Sequence, residues 1–368
     1  MYIVNISKGV LKMNSISITR AAELKPKPQD ESNLGNGMYF TDHMFSMNYH
    51  SDKGWYDARI VPYGPISLDP ASTCLHYGQL IFEGMKGYRA NDGRTLLFRP
   101  HNNMQRLNAS AARMCIPPVD VDFMVNAIAK LVDIEKEWIP RSEGTSLYIR
   151  PFIISTDCYI GVQPSESYLL NVILCPLGHY LAGGLKPVRI FVEDEYVRAV
   201  KGGVGYAKCA GNYAASLIAQ VKAHKLGCAQ VLWLDGVNHK YVDEVGHMNV
   251  FFVMDGKVVT PELTGAILPG ITRDSVITML KSWDIPVEER LIDIQEIADA
   301  AKSGKLEEIF GCGTAAVISP VGELIWGDVE IKAGDGKTGP ISRRIYENLT
   351  GIQRGVLPDP FGWSFEVK

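Results

Sequence analysis

The run GGVGYAKCAGNYAASL places one lysine, Lys208, between a glycine-rich turn and a helix start, with small or apolar neighbours and no acidic residue nearby in sequence. A lysine in such company is a candidate amine nucleophile. A partly desolvated site disfavours the ammonium form, and only the free amine attacks an aldehyde to make a Schiff base. Alone, Lys208 would read as a solvated loop residue, but its companions change that. Glu244, in YVDEVGHMN, follows a strand-like run and is a carboxylate that could serve the same site. A phosphate needs cations and unpaired backbone N–H groups. The chain offers Arg106 in NNMQR and Ile271–Thr272 at the start of a predicted helix, and Thr314 can add a hydroxyl.

Other chemistries find less support. The eight histidines show no HxxxH or HExxH spacing, so no protein-built metal site is expected. The cluster Gly202-Gly203-Val204-Gly205 suggests a dinucleotide loop, but Lys208 stands where the last glycine of GxGxxG belongs. The seven cysteines contain no CxxC pair, lie mostly in apolar segments, and are read as buried thiols.

These residues must be positioned by a chain of 368 residues, more than one hydrophobic core usually serves, so two domains are expected. With 46% hydrophobic residues, 21% charged residues and a net charge of -4, nucleic acid is not an expected partner. The best apolar stretch, Tyr168 to Leu181, is interrupted by Asn171, Pro176 and His179, so no membrane span is expected. The first forty residues hold a single arginine, Arg20, together with Asp30 and Glu31, which fits neither a secretory signal nor a transit peptide and points to the cytoplasm.

In the first third, short apolar runs alternate with turn signals, as in Met85 to Arg99, where Asn91-Asp92-Gly93 predicts a hairpin. Helical patterns follow over Asn102 to Cys115 and over Val121 to Trp138. The stretch PLGHYLAGGLKP (176–187) reads as an interdomain linker. Beyond it, Asn212 is expected to cap a helix ending at Gly227. VLWLDG opens a set of strands through Val259, Asp293 and Glu296 form a capping box, and Pro340 starts a terminal helix to about Gln353. Meandering strands with inserted helices and no repeated βαβ unit predict an α+β fold.

Six segments, FTDHM, FEGMK, KCAGNY, EVGHMN, LPGIT and GCGTAAV, occur in the order of the motifs of branched-chain aminotransferases and span nearly the whole chain. The sequence therefore resembles that family, a fold-type IV group dependent on pyridoxal 5'-phosphate (PLP). The resemblance implies a small α/β domain and a large domain with a pseudo-barrel of strands, PLP between them, and a homodimer. The expected division is an N-terminal extension over 1–36, the small domain over 37–175, an interdomain loop over 176–187 and the PLP-binding domain over 188–368. The implied reaction is reversible transfer of the amino group of leucine, isoleucine or valine to 2-oxoglutarate.

By the same resemblance Lys208 anchors PLP and then moves protons. Glu244 faces the pyridine nitrogen, and Tyr213 faces the phenolic oxygen. Arg106, Ile271, Thr272 and Thr314 surround the phosphate, and Arg198 is a weaker cofactor match. Phe40, Tyr77, Phe82, Tyr148 and Tyr180 match substrate-pocket positions, Arg150 the residue near the glutamate side-chain carboxylate, and Ala315–Ala316 the turn that meets the α-carboxylate. Two departures stand out. Ala316 and Ser319 occupy the places of the redox CxxC of animal mitochondrial relatives, and His247 replaces a threonine common in the family. Residues 1–12 resemble nothing in it.

Overall fold

The computed structural model describes residues 15–35, 37–178 and 185–368. The expectations for the N-terminal dozen residues, for Tyr180 and for half of the 176–187 linker (179–184) lie outside the described residues. Pro176 and Leu177 are not linker: they end the strand Ser167–Leu177, register-paired with Leu147 and Ser146.

Two nine-stranded sheets organise the described residues. The first runs Ser17–Ile18, Gly54–Pro62, His43–His50, Ser167–Leu177, Ser146–Ser155, Met85–Arg89, Thr95–Phe98 and Ser364–Val367, with Leu80–Phe82 also paired to Ser146–Ser155. Alternation explains its two faces. Phe45 and Met47 project to one side and pack with Leu170, Val172, Leu147 and Ile149 against the helices Pro100–Arg113 and Val121–Ile134. Both helices begin close to their predicted starts, and Asp120 caps the second by accepting the Phe123 N–H. The Asn91-Asp92-Gly93 turn forms as expected, with Gly93 at φ 91°.

The second sheet runs Val242–Val245, Gln230–Leu234, Val188–Glu193, Val317–Trp326, Leu306–Gly313, Asn249–Met254, Lys257–Pro261 and Val287–Arg290, with Val329–Lys332 paired to Val317–Trp326. One face carries Ile190, Leu232, Val250, Phe252 and Leu324 against the helix Ile294–Lys302. The other carries Phe251, Phe310 and Ile318 against the helices Ile271–Ser282 and Pro340–Gln353. The last strand, Ser364–Val367, pairs with Thr95–Phe98 of the first sheet, so the C-terminus returns across the division expected at 188. A short sequence-distant edge strand leaves no local signal of its partner.

Three local expectations need correction. Asn212 is not a helix cap: it lies inside the helix Ala210–Ala214, and its amide donates to the carbonyls of Val204 and Ala207, closing the glycine-rich turn. Asp293 caps its helix through the Gln295 N–H, while Glu296 pairs with Arg290 instead of completing a capping box. Cys115 and Cys158 are exposed, whereas Cys175, Cys209, Cys228 and Cys312 are buried.

Candidate active site

Lys208 sits where the two sheets meet. Its N–H donates to Ser110 Oγ at 2.9 Å, and its carbonyl accepts the Phe82 N–H at 3.0 Å, so both sides of its peptide are held by the first sheet and its helix. The turn before it is close-packed: a Cβ on Gly205 would lie 2.1 Å from the Ala266 carbonyl oxygen, a position only glycine fits. The amine projects over the Phe82 ring, 4.9 Å from its centroid, and donates to the Tyr213 hydroxyl at 2.8 Å. Burial, and then the charge of Arg106, lower its pKa to about 7, against the pull of Glu83. Lys208 is therefore free amine in a substantial fraction of molecules at neutral pH, as Schiff-base chemistry requires.

Two buried carboxylates flank this amine. Glu244, on the strand Val242–Val245, accepts the Leu268 N–H at 2.7 Å, and its other oxygen lies 3.2 Å from Arg198 Nε without hydrogen-bond alignment. Burial raises the Glu244 pKa, and Arg198 opposes that rise. Arg198 is thus paired with the carboxylate, and its Nη1 donates to the Ala266 carbonyl at 3.2 Å.

Glu83 was missed by sequence reasoning although it stands inside FEGMK. It receives the Arg106 fork at 2.7 and 2.9 Å and the Asn103 amide at 2.8 Å. Burial alone would raise its pKa, but Arg106, Lys208 and Asn103 together carry it below the ordinary value. Burial works against the Arg106 charge, and Glu83 more than restores it.

The remaining Arg106 nitrogen donates to the Pro269 carbonyl at 3.2 Å, which brings the arginine to the start of the helix Ile271–Ser282. That helix begins at Gly270 with no side-chain cap. The N–H groups of Ile271 and Thr272 receive no acceptor from any described residue. The hairpin turn Thr314–Ala315–Ala316 likewise leaves three N–H groups without a described acceptor. It is followed by Val317 at φ 60°, a strained conformation for a β-branched residue. Two sets of open donors beside a buried cation and a free amine fit a phosphate and a carboxylate, the two anionic ends that PLP and an amino acid would bring.

The aromatic residues divide. Phe82 packs on Tyr213 (4.8 Å between centroids), and Arg150 lies over both Phe82 and Tyr148, donating to the Tyr148 hydroxyl at 2.9 Å. Phe40 instead stacks on Tyr63 at 5.1 Å. Tyr77 is 39% exposed on the short helix Thr73–Tyr77, with no recorded contact to the Lys208 cluster. His247 stacks on Tyr213 at 5.0 Å and meets Ser216 Oγ through Nε2 at 3.1 Å. Crowding by protein atoms, and then the charges of Arg198 and Lys208, lower its pKa to about 4. The imidazole is neutral at pH 7 even though the residue opens to solvent.

A low-pKa lysine between two buried carboxylates, with anion-ready backbone on two sides, defines a site for carbonyl-amine exchange on a phosphorylated aldehyde. Residues 80–324 match the Amino-transferase class IV family, and the chain belongs to that family. It is 55% identical over 353 residues to branched-chain-amino-acid aminotransferase 2 of Bacillus subtilis (strain 168), covering 96% of this chain and 97% of that protein. The crystal structure of the Escherichia coli branched-chain amino acid aminotransferase aligns with a TM-score of 0.73 at 28% identity, covering 89% of this chain and 99% of the other. The T.th. branched-chain amino acid aminotransferase complexed with N-(5'-phosphopyridoxyl)-L-glutamate aligns at 0.70 with 26% identity over 88% of this chain and 98% of that one. Within the class IV family the chain is a branched-chain-amino-acid aminotransferase, a PLP-dependent transaminase of α+β, fold-type IV architecture, as the six motifs implied.

Proposed function

We propose that this enzyme transfers the amino group of leucine, isoleucine or valine reversibly to 2-oxoglutarate, with PLP held at Lys208. The observation that carries this assignment is the half-buried Lys208 amine, its pKa near 7, 2.8 Å from the Tyr213 hydroxyl and flanked by two buried carboxylates. When bound, PLP supplies an aldehyde that takes up the substrate amine and a ring that accepts electrons released at the α-carbon.

The protein's own residues have separable tasks. Lys208 Nζ would anchor the cofactor and, once released, carry the proton from the substrate α-carbon to the carbon that bore the cofactor's aldehyde. Glu244, buried and paired with Arg198, would hold a proton on the ring nitrogen. Tyr213 donates its hydroxyl to the phenolic oxygen. Arg106, the Ile271 and Thr272 N–H groups and the Thr314 hydroxyl bind the phosphate. Arg106 does so with the donors that Glu83 leaves over. Arg198 acts through Glu244.

The turn at Ala315–Ala316 offers N–H groups to the substrate α-carboxylate. Phe82, Tyr148 and Phe40 wall the apolar side-chain pocket, and Arg150 reaches the second carboxylate of glutamate. The proposed working form is a homodimer, and Tyr77, exposed beside Leu75, is a further proposed substrate-pocket residue. We read the first sheet, apart from its edge strands Ser17–Ile18 and Ser364–Val367 and the end of Ser167–Leu177, as a small domain over 37–175 and the second as a large one over 188–368, and the cytoplasm is the proposed compartment. Among the described residues no helix is long and apolar enough to cross a membrane, and no group of three His, Cys, Asp or Glu is placed to hold a metal.

Steady-state transamination with 2-oxoglutarate and each of leucine, isoleucine, valine and D-alanine tests this reading. Activity is expected with the three branched L-amino acids, and activity with D-alanine alone would overturn it.

A further inference from the structure

Lys86 is a buried lysine that the proposed reaction does not use. It lies on the strand Met85–Arg89, opposite Tyr148, and is only 7% exposed. Among the described residues its ammonium makes one hydrogen bond, 2.7 Å to the carbonyl of Ala315, reaching from the first sheet to the hairpin turn of the second. That carbonyl belongs to the same peptide unit as the Ala316 N–H, one of the donors left open at the turn. In a trans peptide the C=O and N–H point in opposite directions. A cation bound to the oxygen therefore withdraws electron density from the nitrogen and sharpens the N–H as a donor on the far side.

We infer that Lys86 is a positioning residue for substrate carboxylate: it fixes and polarises the 315–316 peptide so that the Ala316 N–H presents a strengthened, correctly aimed donor to the α-carboxylate. This rests on the reading of the Thr314–Ala316 turn as the carboxylate site. The fold supports the inference in two further ways. The strained Val317 conformation holds the turn in one shape from the large-sheet side, and Lys86 holds it from the other. Lys86 also faces a cavity of about 90 Å³ whose wall includes Glu143, Tyr88, Tyr346 and Arg354, and none of these forms a recorded bond with its ammonium. Burial lowers the Lys86 pKa to about 7, with no carboxylate holding its charge in place. A bound carboxylate behind the polarised peptide favours the protonated form, so the acid should bind more weakly as pH rises above about 7.

The test uses the PLP-loaded enzyme with two competitive probes of the same shape, 4-methylvaleric acid and its neutral amide, 4-methylpentanamide. For Lys86→Met, affinity for the acid should fall about tenfold and affinity for the amide by less than twofold, with the KM for leucine rising and kcat little changed. Lys86→Arg, which keeps a permanent cation, should restore acid binding and remove its decline above pH 7. Equal loss for both probes would mean that Lys86 merely supports the fold, and no loss for either would mean that it does not act on the turn; each overturns the inference. If the wild-type enzyme binds acid and amide equally, or if the acid does not compete with leucine, the turn is not the carboxylate site and the underlying functional reading fails instead.

Discussion

The pair Glu83–Arg106 should be the most sensitive single interaction in the first sheet, and Glu83→Gln is the perturbation that reveals it. The Glu83 carboxylate is fully buried and receives four donors: the Arg106 fork, the Asn103 amide and the N–H of Gly84 at 3.1 Å. Glutamine keeps the shape but removes the charge and turns one oxygen into an NH₂ group, so a donor must then face donors. The Arg106 guanidinium, itself only 9% exposed, loses its counter-charge. Breaking one side of such a buried pair costs about 3–5 kcal/mol. At roughly 2–4 °C per kcal/mol for a cooperative unit of about 150–250 residues, the melting temperature should fall by about 6–20 °C.

Thermal unfolding followed by circular dichroism measures this directly. The double variant Glu83→Met with Arg106→Met removes both charges and should recover most of the loss, because two matched apolar side chains carry no desolvation penalty. It should at the same time hold PLP poorly, since the phosphate cation is gone. The pH dependence has a definite sign. The folded Glu83 pKa lies below the ordinary 4.5, so its stabilisation is complete above about pH 4.5 and is lost as pH falls through the folded value. The gap between wild type and Glu83→Gln should therefore close on acidification. A Glu83→Gln variant melting within about 2 °C of wild type at pH 7, or a double variant no more stable than the single one, would refute the argument.

Other outcomes follow from the same geometry. The rate at which apoenzyme captures PLP should rise with pH only up to about 7, where Lys208 becomes free amine, and a rate still climbing between pH 8 and 10 would show that its pKa is not lowered. Glu244→Gln should retain PLP yet lose roughly 10²–10³ in kcat, by analogy with removal of one buried electrostatic contact; unchanged turnover would remove Glu244 from the electron-sink role. In Gly84→Ala the new Cβ would lie 2.1 Å from the Tyr148 hydroxyl, displacing the ring that Arg150 binds. The KM for 2-oxoglutarate should rise about tenfold and that for leucine much less, so an equal rise for both would place Arg150 outside the glutamate side-chain pocket.

How much of this was legible beforehand depends on whether a feature is local. Lys208, the Asn91-Asp92-Gly93 hairpin and the helix starts at Val121, Ile271 and Pro340 depend on a few neighbouring residues, and the chain states them directly. The return of Ser364–Val367 to Thr95–Phe98 depends on two segments far apart with no shared local pattern, and it was not readable. The same reason hid Glu83 from view. A carboxylate in a motif reads as one more motif letter until the helix bearing Arg106 and Asn103 is laid over it.

Arg198 shows how side-chain type leaves a role open. Its type suits a phosphate, and the family resemblance pointed to the cofactor, but side-chain type does not say which of two anions a buried cation will meet. In the fold it meets Glu244, and this changes the chemistry expected of that carboxylate. A Glu244 left alone in a buried site would take up a proton, and a neutral acid holds a pyridinium poorly. Arg198 at 3.2 Å opposes that protonation, so the arginine reaches the cofactor's electronics through the carboxylate. His247 fits the same logic. As a neutral ring stacked on Tyr213 it adds no positive charge beside Lys208, where a protonated imidazole would push the lysine pKa lower still. A histidine in place of threonine is thus compatible with the site because the site keeps it neutral.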